Sequence, residues 1–199
     1  MVGSRWVTTA PMPQAPISVT MWPRARSSLR VRSGMPGSIE DATGDKDKPL
    51  YDLAQATERV AAAVQAARAL SFPFTLTARA EGFLRGKPDL DDVIKRLRAF
   101  EKAGADVLMS PGLPDLPSVR KVCAALSKPF NFMVGIKGKS FTVAELAGAG
   151  VKRISLATSL YRMAMTGLVD AAREVKDKGT FGYIDRSLAT PDMNAFMQG

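Results

Sequence analysis

The sequence predicts an α/β protein whose parallel strands belong to a (β/α)8 barrel. Short apolar strands alternate with helices along the chain, which is typical of a parallel sheet. The β/α units recur at roughly 25 to 35 residues, a regular spacing that favours a barrel over the alternative, an open doubly wound sheet. No glycine-rich nucleotide-binding motif follows any predicted strand, so nothing points to the dinucleotide-binding form of that alternative.

Five strands are predicted, each a short apolar run that follows a turn, a glycine or a proline. They lie at residues 37–40, 74–78, 106–109, 130–134 and 153–157. Five β/α units look like units four to eight of a barrel, whereas a complete barrel needs about 250 residues. We therefore expect a partial barrel domain over residues 37–199, whose open edges make it poorly stable, dependent on a partner chain, or inactive.

The predicted helices follow the strands and carry recognisable end signals. Asp52 and Thr142 are expected N-caps, and Gly104 is an expected stop. The helices are predicted at about residues 52–70, 89 or 90 to 104, 117–126, 142 to 148 or 150, 159–176 and 191–197.

Residues 1–36 differ from the rest of the chain. They contain both tryptophans and show no sustained helical or strand period, so neither element is predicted there. Three interpretations stay open: a disordered basic tail, a targeting peptide, or sequence that is not native to the gene and replaces the first three β/α units.

The net charge of +9 does not indicate nucleic-acid binding. Five arginines and no acidic residue fall in residues 1–36, so more than half of the excess lies in that tail. A nucleic-acid binder that depends on the tail is therefore the lowest-ranked hypothesis.

No apolar run approaches the roughly 20 residues that span a bilayer. The single cysteine, Cys123, favours a cytoplasmic protein, and the absence of histidine excludes histidine-based catalysis and histidine-ligated metals.

Functional residues of parallel α/β folds lie at the carboxyl ends of the strands. Glu40 and Asp41 form a carboxylate pair that suits a hard cation such as Mg²⁺, or else caps and solvates a turn. Arg79 leaves an apolar strand and must pair with Glu81, with Glu40 or with an anionic ligand. Asn131, a polar residue within an apolar strand, either orients a substrate or satisfies groups inside the barrel.

These residues form part of an ordered set of motifs that resembles the isocitrate lyase/phosphoenolpyruvate mutase superfamily. The motifs are Ser38-Ile39-Glu40-Asp41, Thr77-Ala78-Arg79-Ala80-Glu81, Ala103-Gly104-Ala105-Asp106, Pro129-Phe130-Asn131 and Gly150-Val151-Lys152-Arg153-Ile154-Ser155. The resemblance covers about residues 37–199. It implies a (β/α)8 barrel enzyme that uses Mg²⁺ and makes or breaks C–C or C–P bonds of small 2-oxo or 2-hydroxy carboxylates through an enolate-like intermediate. It also implies dimers or tetramers that exchange the last helix.

The resemblance assigns roles to single residues. Arg79 matches the arginine that binds the substrate carboxylate and stabilises the enolate oxygen. Glu40 matches the acidic residue near the metal, which acts through water, and Asn131 matches a polar residue near the substrate. A metal ion and an arginine sharing the charge of an enolate is physically reasonable.

Two departures from the family pattern narrow the expected activity. The loop after Glu40-Asp41 lacks the cysteine and histidine of isocitrate and methylisocitrate lyases, which favours oxaloacetate-decarboxylase-like or mutase-like relatives. The main Mg²⁺ aspartates have no counterpart, because residues 1–38 contain no Asp or Glu. The resemblance thus favours a Mg²⁺-dependent lyase or decarboxylase. The alternative is a truncated, non-catalytic barrel fragment that keeps only anion binding through Arg79.

Overall fold

The structure, a computed structural model, describes residues 18–20 and 35–197. Its six strands form one all-parallel sheet in the order β1-β6-β5-β4-β3-β2. The strands are β1 Ser18–Thr20, β2 Met35–Glu40, β3 Phe74–Arg79, β4 Val107–Met109, β5 Phe130–Met133 and β6 Arg153–Ser155. The helices are α1 Leu53–Arg68, α2 Leu90–Lys102, α3 Leu116–Ala124, α4 Val143–Gly148, α5 Ser159–Lys178 and α6 Thr190–Met197. The predicted α/β class with a parallel sheet is confirmed.

The expectation for residues 1–36 was wrong at one point, because Ser18–Thr20 forms strand β1 beside β6. Three residues are too few to show a period in a sequence, although Val19 and Thr20 are β-branched and favour a strand. The predicted boundary between the tail and the first strand after it was also wrong, since β2 begins at Met35 rather than at Gly37. The remaining part of that expectation lies outside the described residues.

The helices begin where the sequence supplies caps. The Asp52 side chain accepts from the backbone N–H of Gln55 at the start of α1. Thr142 and Glu145 form a reciprocal capping box at the start of α4. The apolar residues of α1 to α4 pack with those of the sheet into one core. Its fully buried members include Leu97, Phe100, Leu108, Val119, Val122, Phe130 and Leu146.

The residues from Thr158 onward belong to a second compact unit. Within it, α5 ends at Gly179, whose φ of 65° is the left-handed conformation that suits a glycine at a helix end. Neither α5 nor α6 contains a buried residue, and their apolar side chains are exposed. No helix among the described residues is both long and apolar enough to cross a membrane.

Asp106 connects three elements of the sheet unit. One carboxylate oxygen accepts from the backbone N–H of Leu76 in β3, at 2.8 Å. The other accepts from Arg68 at the end of α1, at 2.5 Å. Burial alone would raise the pKa of Asp106, but these hydrogen bonds outweigh burial and hold the pKa below its usual value of 3.8. The ionised carboxylate therefore stabilises the fold.

We expect Asp106→Asn to lower the stability of the protein at neutral pH. Because the folded pKa is depressed, this stabilisation is complete above the unfolded pKa and is lost as the pH falls through the folded pKa. The difference between wild type and variant in the urea midpoint of unfolding should therefore shrink between about pH 7 and about pH 3. Asp47→Asn, at an exposed loop position, is the matched control. An unchanged difference at both pH values would show that the charge of Asp106 does not stabilise the fold.

Candidate functional site

The candidate site lies where β2 and β3 end. Glu40 and Arg79 are register partners and the last residues of their strands, and Glu81 follows two residues later. A short 3-10 turn at Gly82–Leu84 then brings Arg85 back to the same group. The chain thus delivers two carboxylates and two guanidiniums to one edge of the sheet.

Glu81 is the centre of this group. Its side chain is only 1% exposed, and its Oε1 accepts from Nε of Arg79 at 2.8 Å and lies 2.8 Å from Nη2 of the same guanidinium. Arg85 Nη2 lies 4.0 Å from Glu81 Oε2. Burial raises the pKa of Glu81, while the charge and hydrogen bonds of Arg79 lower it and the charge of Glu40 raises it. The net shift is upward from 4.5.

Glu40 is more exposed and lies between the two arginines. Its Oε2 is 3.5 Å from Arg79 Nη2, and its Oε1 is 3.4 Å from Arg85 Nη2. The four side chains form an alternating network without net charge. Arg79 was predicted to pair with Glu81, with Glu40 or with an anionic ligand, and the structure places both carboxylates against it. Its Nη1 has no hydrogen-bond partner among the described residues.

Asp41 belongs to a separate, buried network. Its Oδ1 accepts from the backbone N–H of Glu81 at 2.8 Å, and its Oδ2 accepts from Arg96 Nη1 at 3.3 Å. Arg96 also donates to the carbonyl of Tyr51 and to Asp92. Burial raises the pKa of Asp41 despite these donors. The two oxygens of Asp41 therefore connect the end of β2 to the segment after β3 and to α2.

Asn131 is fully buried on β5, away from this group along the sheet. Its Oδ1 accepts from Arg153 Nη1 at 3.0 Å, and its Nδ2 donates to Ser155 Oγ at 3.1 Å. Nδ2 also lies 3.2 Å from the sulfur of Met109. This network fixes the orientation of the amide. The sequence analysis left a substrate role and an internal role open, and the observed contacts are internal.

The described residues do not by themselves fit the Mg²⁺ that the family resemblance implies. They include every Asp, Glu and Cys of the chain, and no three of these come close enough together to hold a metal ion. Glu40 faces two guanidiniums and Asp41 is saturated by protein donors, whereas Mg²⁺ needs several free oxygen ligands. The metal role of Glu40 and Asp41 therefore stays a prediction without support from this geometry.

Sequence reasoning missed Arg85 and Arg153 as members of these networks. Arg85 carried a weak signal, because it lies four residues after Glu81 and one turn brings i and i+4 together. Arg153 and Ser155 alternate on one strand with an apolar residue between them, which places both on the same face as Asn131.

The chain is similar to a known protein family and to several solved structures. A family profile described as phosphoenolpyruvate phosphomutase matches residues 31–176. The solved structure of a protein classed as a lyase/mutase from Burkholderia cenocepacia J2315 is 45% identical, with a TM-score of 0.79, over 83% of this chain and 59% of that chain. A 2,3-dimethylmalate lyase of the PEP mutase/isocitrate lyase superfamily is 26% identical, with a TM-score of 0.68, over 82% of this chain and 57% of its own length.

A curated relative, the oxaloacetate decarboxylase of Ectopseudomonas mendocina (strain ymp), is 26% identical over 131 residues. That match covers 66% of this chain and 43% of the relative. The chain thus spans between 43% and 59% of the lengths of these three relatives. The expected barrel type of the fold is confirmed by the structural neighbours.

We expect the pKa of Glu81 to lie above 4.5 in the wild-type protein and to respond to its neighbours with opposite signs. Arg79→Met should raise it further, because a cation and its hydrogen bond are lost. Glu40→Gln should lower it, because a nearby negative charge is removed. The measurement is a ¹³C NMR titration of the glutamate carboxyl groups. Arg120→Met, at an exposed position, is the control, and a Glu81 pKa insensitive to Arg79→Met would contradict the network.

Proposed function

This chain belongs to the phosphoenolpyruvate phosphomutase family, and we propose that its site binds a small 2-oxo or 2-hydroxy carboxylate through Arg79 in a carbon–carbon lyase or decarboxylase type of reaction. The observation that carries the proposal is the position and the pairing of the Arg79 guanidinium. This guanidinium stands at the carboxyl edge of the sheet, is held by Glu81, and has an open Nη1. A charge-assisted hydrogen bond from this nitrogen to a carboxylate is stronger than one between neutral groups.

The chemistry that Arg79 can supply follows from its charge. When a bond beside a carbonyl group breaks, negative charge moves onto the carbonyl oxygen. A fixed guanidinium beside that oxygen stabilises the charge without reorganising, since Glu81 already holds the arginine in place. The names of two relatives support the substrate class, because oxaloacetate and 2,3-dimethylmalate are small carboxylates of this kind.

A second candidate is a carboxylate-binding protein without catalysis. It is favoured by one observation, the lack of any group of three metal-ligating side chains among the described residues. The two candidate functions share Arg79 and differ in their dependence on Mg²⁺. Mg²⁺ is typical of the family, but the acidic residues of this chain alone do not form a site for it. A Mg²⁺-dependent enzyme would need oxygen ligands beyond the carboxylates of this chain, and water or a bound substrate can supply such ligands.

We expect oxalate to bind the intact protein in a calorimetric titration, and Arg79→Met to weaken the affinity at least tenfold, because the oriented cation is lost. Arg120→Met, which removes an exposed arginine from α3, should leave the affinity unchanged. Equal affinities of wild type and Arg79→Met, or no oxalate binding by the wild type either with or without Mg²⁺, would contradict the proposed function.

The same titration with added Mg²⁺ separates the two candidates. Mg²⁺-dependent oxalate binding together with decarboxylation of oxaloacetate would establish the enzyme. Oxalate binding that ignores Mg²⁺, without turnover of oxaloacetate, would establish the non-catalytic carboxylate binder.

We also propose that the protein works in a reducing compartment such as the cytoplasm, since Cys123 has no cysteine partner.

We further propose that the protein self-associates through its C-terminal unit. The support for self-association is the exposed apolar surface of α5, α6 and the segment between them. Its large members include Leu160, Tyr161, Met163, Leu168, Phe181, Ile184, Leu188, Met193 and Phe196. Apolar patches of this kind commonly mark protein interfaces.

Self-association is tested by the molar mass in light scattering after size-exclusion chromatography. We expect a dimer or larger oligomer, and dissociation in the variant Leu168→Glu, because a charge cannot be buried at an apolar interface without a partner. The control is Asp170→Lys on the same helix, a polar position. A wild-type protein that is monomeric at micromolar concentrations would contradict the proposal.

A further inference from the structure

Arg153 lies in the same row of the sheet as the candidate site. The strand register pairs Glu40 with Arg79, Arg79 with Met109, Met109 with Asn131, and Asn131 with Arg153. Directly paired residues of adjacent strands face the same side of a sheet. The contacts of Asn131 with Met109 and with Arg153 show that these side chains do so here.

Arg153 differs from the other half-buried cation of this row in having no counter-ion. Arg79 is neutralised by Glu81 and Glu40. Arg153 forms no ion pair among the described residues, which include every acidic residue of the chain, and its one hydrogen bond there goes to the neutral Asn131. Burial lowers the pKa of Arg153, and no nearby carboxylate offsets that effect.

A half-buried guanidinium without a counter-ion has lost part of its hydration, so an anion that reaches it meets an unpaired cation. The contacts around Arg153 do not exclude such an anion. Asn131 occupies one guanidinium nitrogen, Nη1, which leaves Nε and Nη2 without a hydrogen-bond partner among the described residues. Ser155, two residues along the same strand, adds a hydroxyl next to Asn131 rather than a charge.

The spacing between the two arginines limits what could join them. Arg79 and Arg153 lie three strands apart, so their Cα atoms are separated by roughly 14 Å in a flat sheet and by less in a curved one. A short ligand that has an anionic group at each end is the kind of molecule that could join two arginine side chains on one face of the sheet. Oxalate, whose two carboxylates are directly bonded, is too short to reach both.

We propose that Arg153 is a second anion-binding residue, which holds the distal carboxylate of a dicarboxylate whose first carboxylate is bound by Arg79. The inference rests on the proposed function, because it takes Arg79 as the first anchor. Asn131 is then a positioning residue, since it holds the Arg153 guanidinium through its Oδ1 and is itself held through its Nδ2. The ligand is selected by length and by charge at both ends.

The experiment compares three probes by calorimetry: oxalate, the four-carbon dicarboxylate succinate, and the four-carbon monocarboxylate butyrate. We expect Arg153→Met to weaken succinate binding at least tenfold and to leave oxalate and butyrate within twofold of their wild-type affinities. Arg153→Lys should keep part of the succinate affinity, because it preserves the charge. Arg120→Met is the matched control for the substitution, and thermal unfolding followed by circular dichroism verifies the fold of each variant.

The outcomes separate this inference from the proposed function. If Arg153→Met weakens oxalate and succinate equally, Arg153 acts only through the packing of Asn131, and the inference is wrong. It is also wrong if the wild type binds oxalate but not succinate, or if succinate binding ignores Arg153. If Arg79→Met leaves oxalate binding unchanged, the proposed function itself fails, and the inference fails with it.

Discussion

Glu81 is a carboxylate almost completely removed from water at the carboxyl end of β3, and the site is organised around it. A buried carboxylate is costly unless cations and donors surround it. Arg79 supplies both at 2.8 Å, and Arg85 returns from the following turn to the other oxygen. The backbone N–H of Glu81 donates to Asp41, which connects this group to the network of Arg96 on α2. The position of Arg79 is therefore set by the core of the sheet unit as well as by its own strand.

The same arrangement explains why the acidic residues do not form a metal site. Carboxylates compete for two kinds of positive partner, guanidiniums and metal ions. Glu40 and Glu81 are close to Arg79 and Arg85, and Asp41 is taken by Arg96 and a backbone N–H. A carboxylate already paired in this way gives little to a divalent cation. The site retains an oriented guanidinium, which favours the binding of an anion over that of a metal ion.

The sequence predicted the parallel order of the elements, the family and the residues at the strand ends, because each depends on local patterns. Short apolar runs and caps such as Thr142 are readable without a structure. Strand β1 was missed because three residues carry no period. Arg153 was missed because its importance depends on register across three strands and on the absence of a counter-ion, and neither is a property of a local segment. The partner of Arg79 was left open for the same reason, since choosing between Glu40 and Glu81 requires their relative burial.

Arg79 and Arg153 differ in how well their charge is compensated when no ligand is bound. Arg79 is neutralised by protein carboxylates, so the site is stable without a ligand, but an incoming carboxylate must share the cation with Glu81 and Glu40. Arg153 is not neutralised, so an anion that reaches it gains a cation without displacing a carboxylate, although it must still lose its own hydration. A ligand with one anionic group meets only the compensated cation. A ligand with two meets both, and the larger share of its electrostatic gain comes from the distal group. Discrimination between short carboxylates would then depend less on Arg79, which the family motif identifies, than on the residue three strands away.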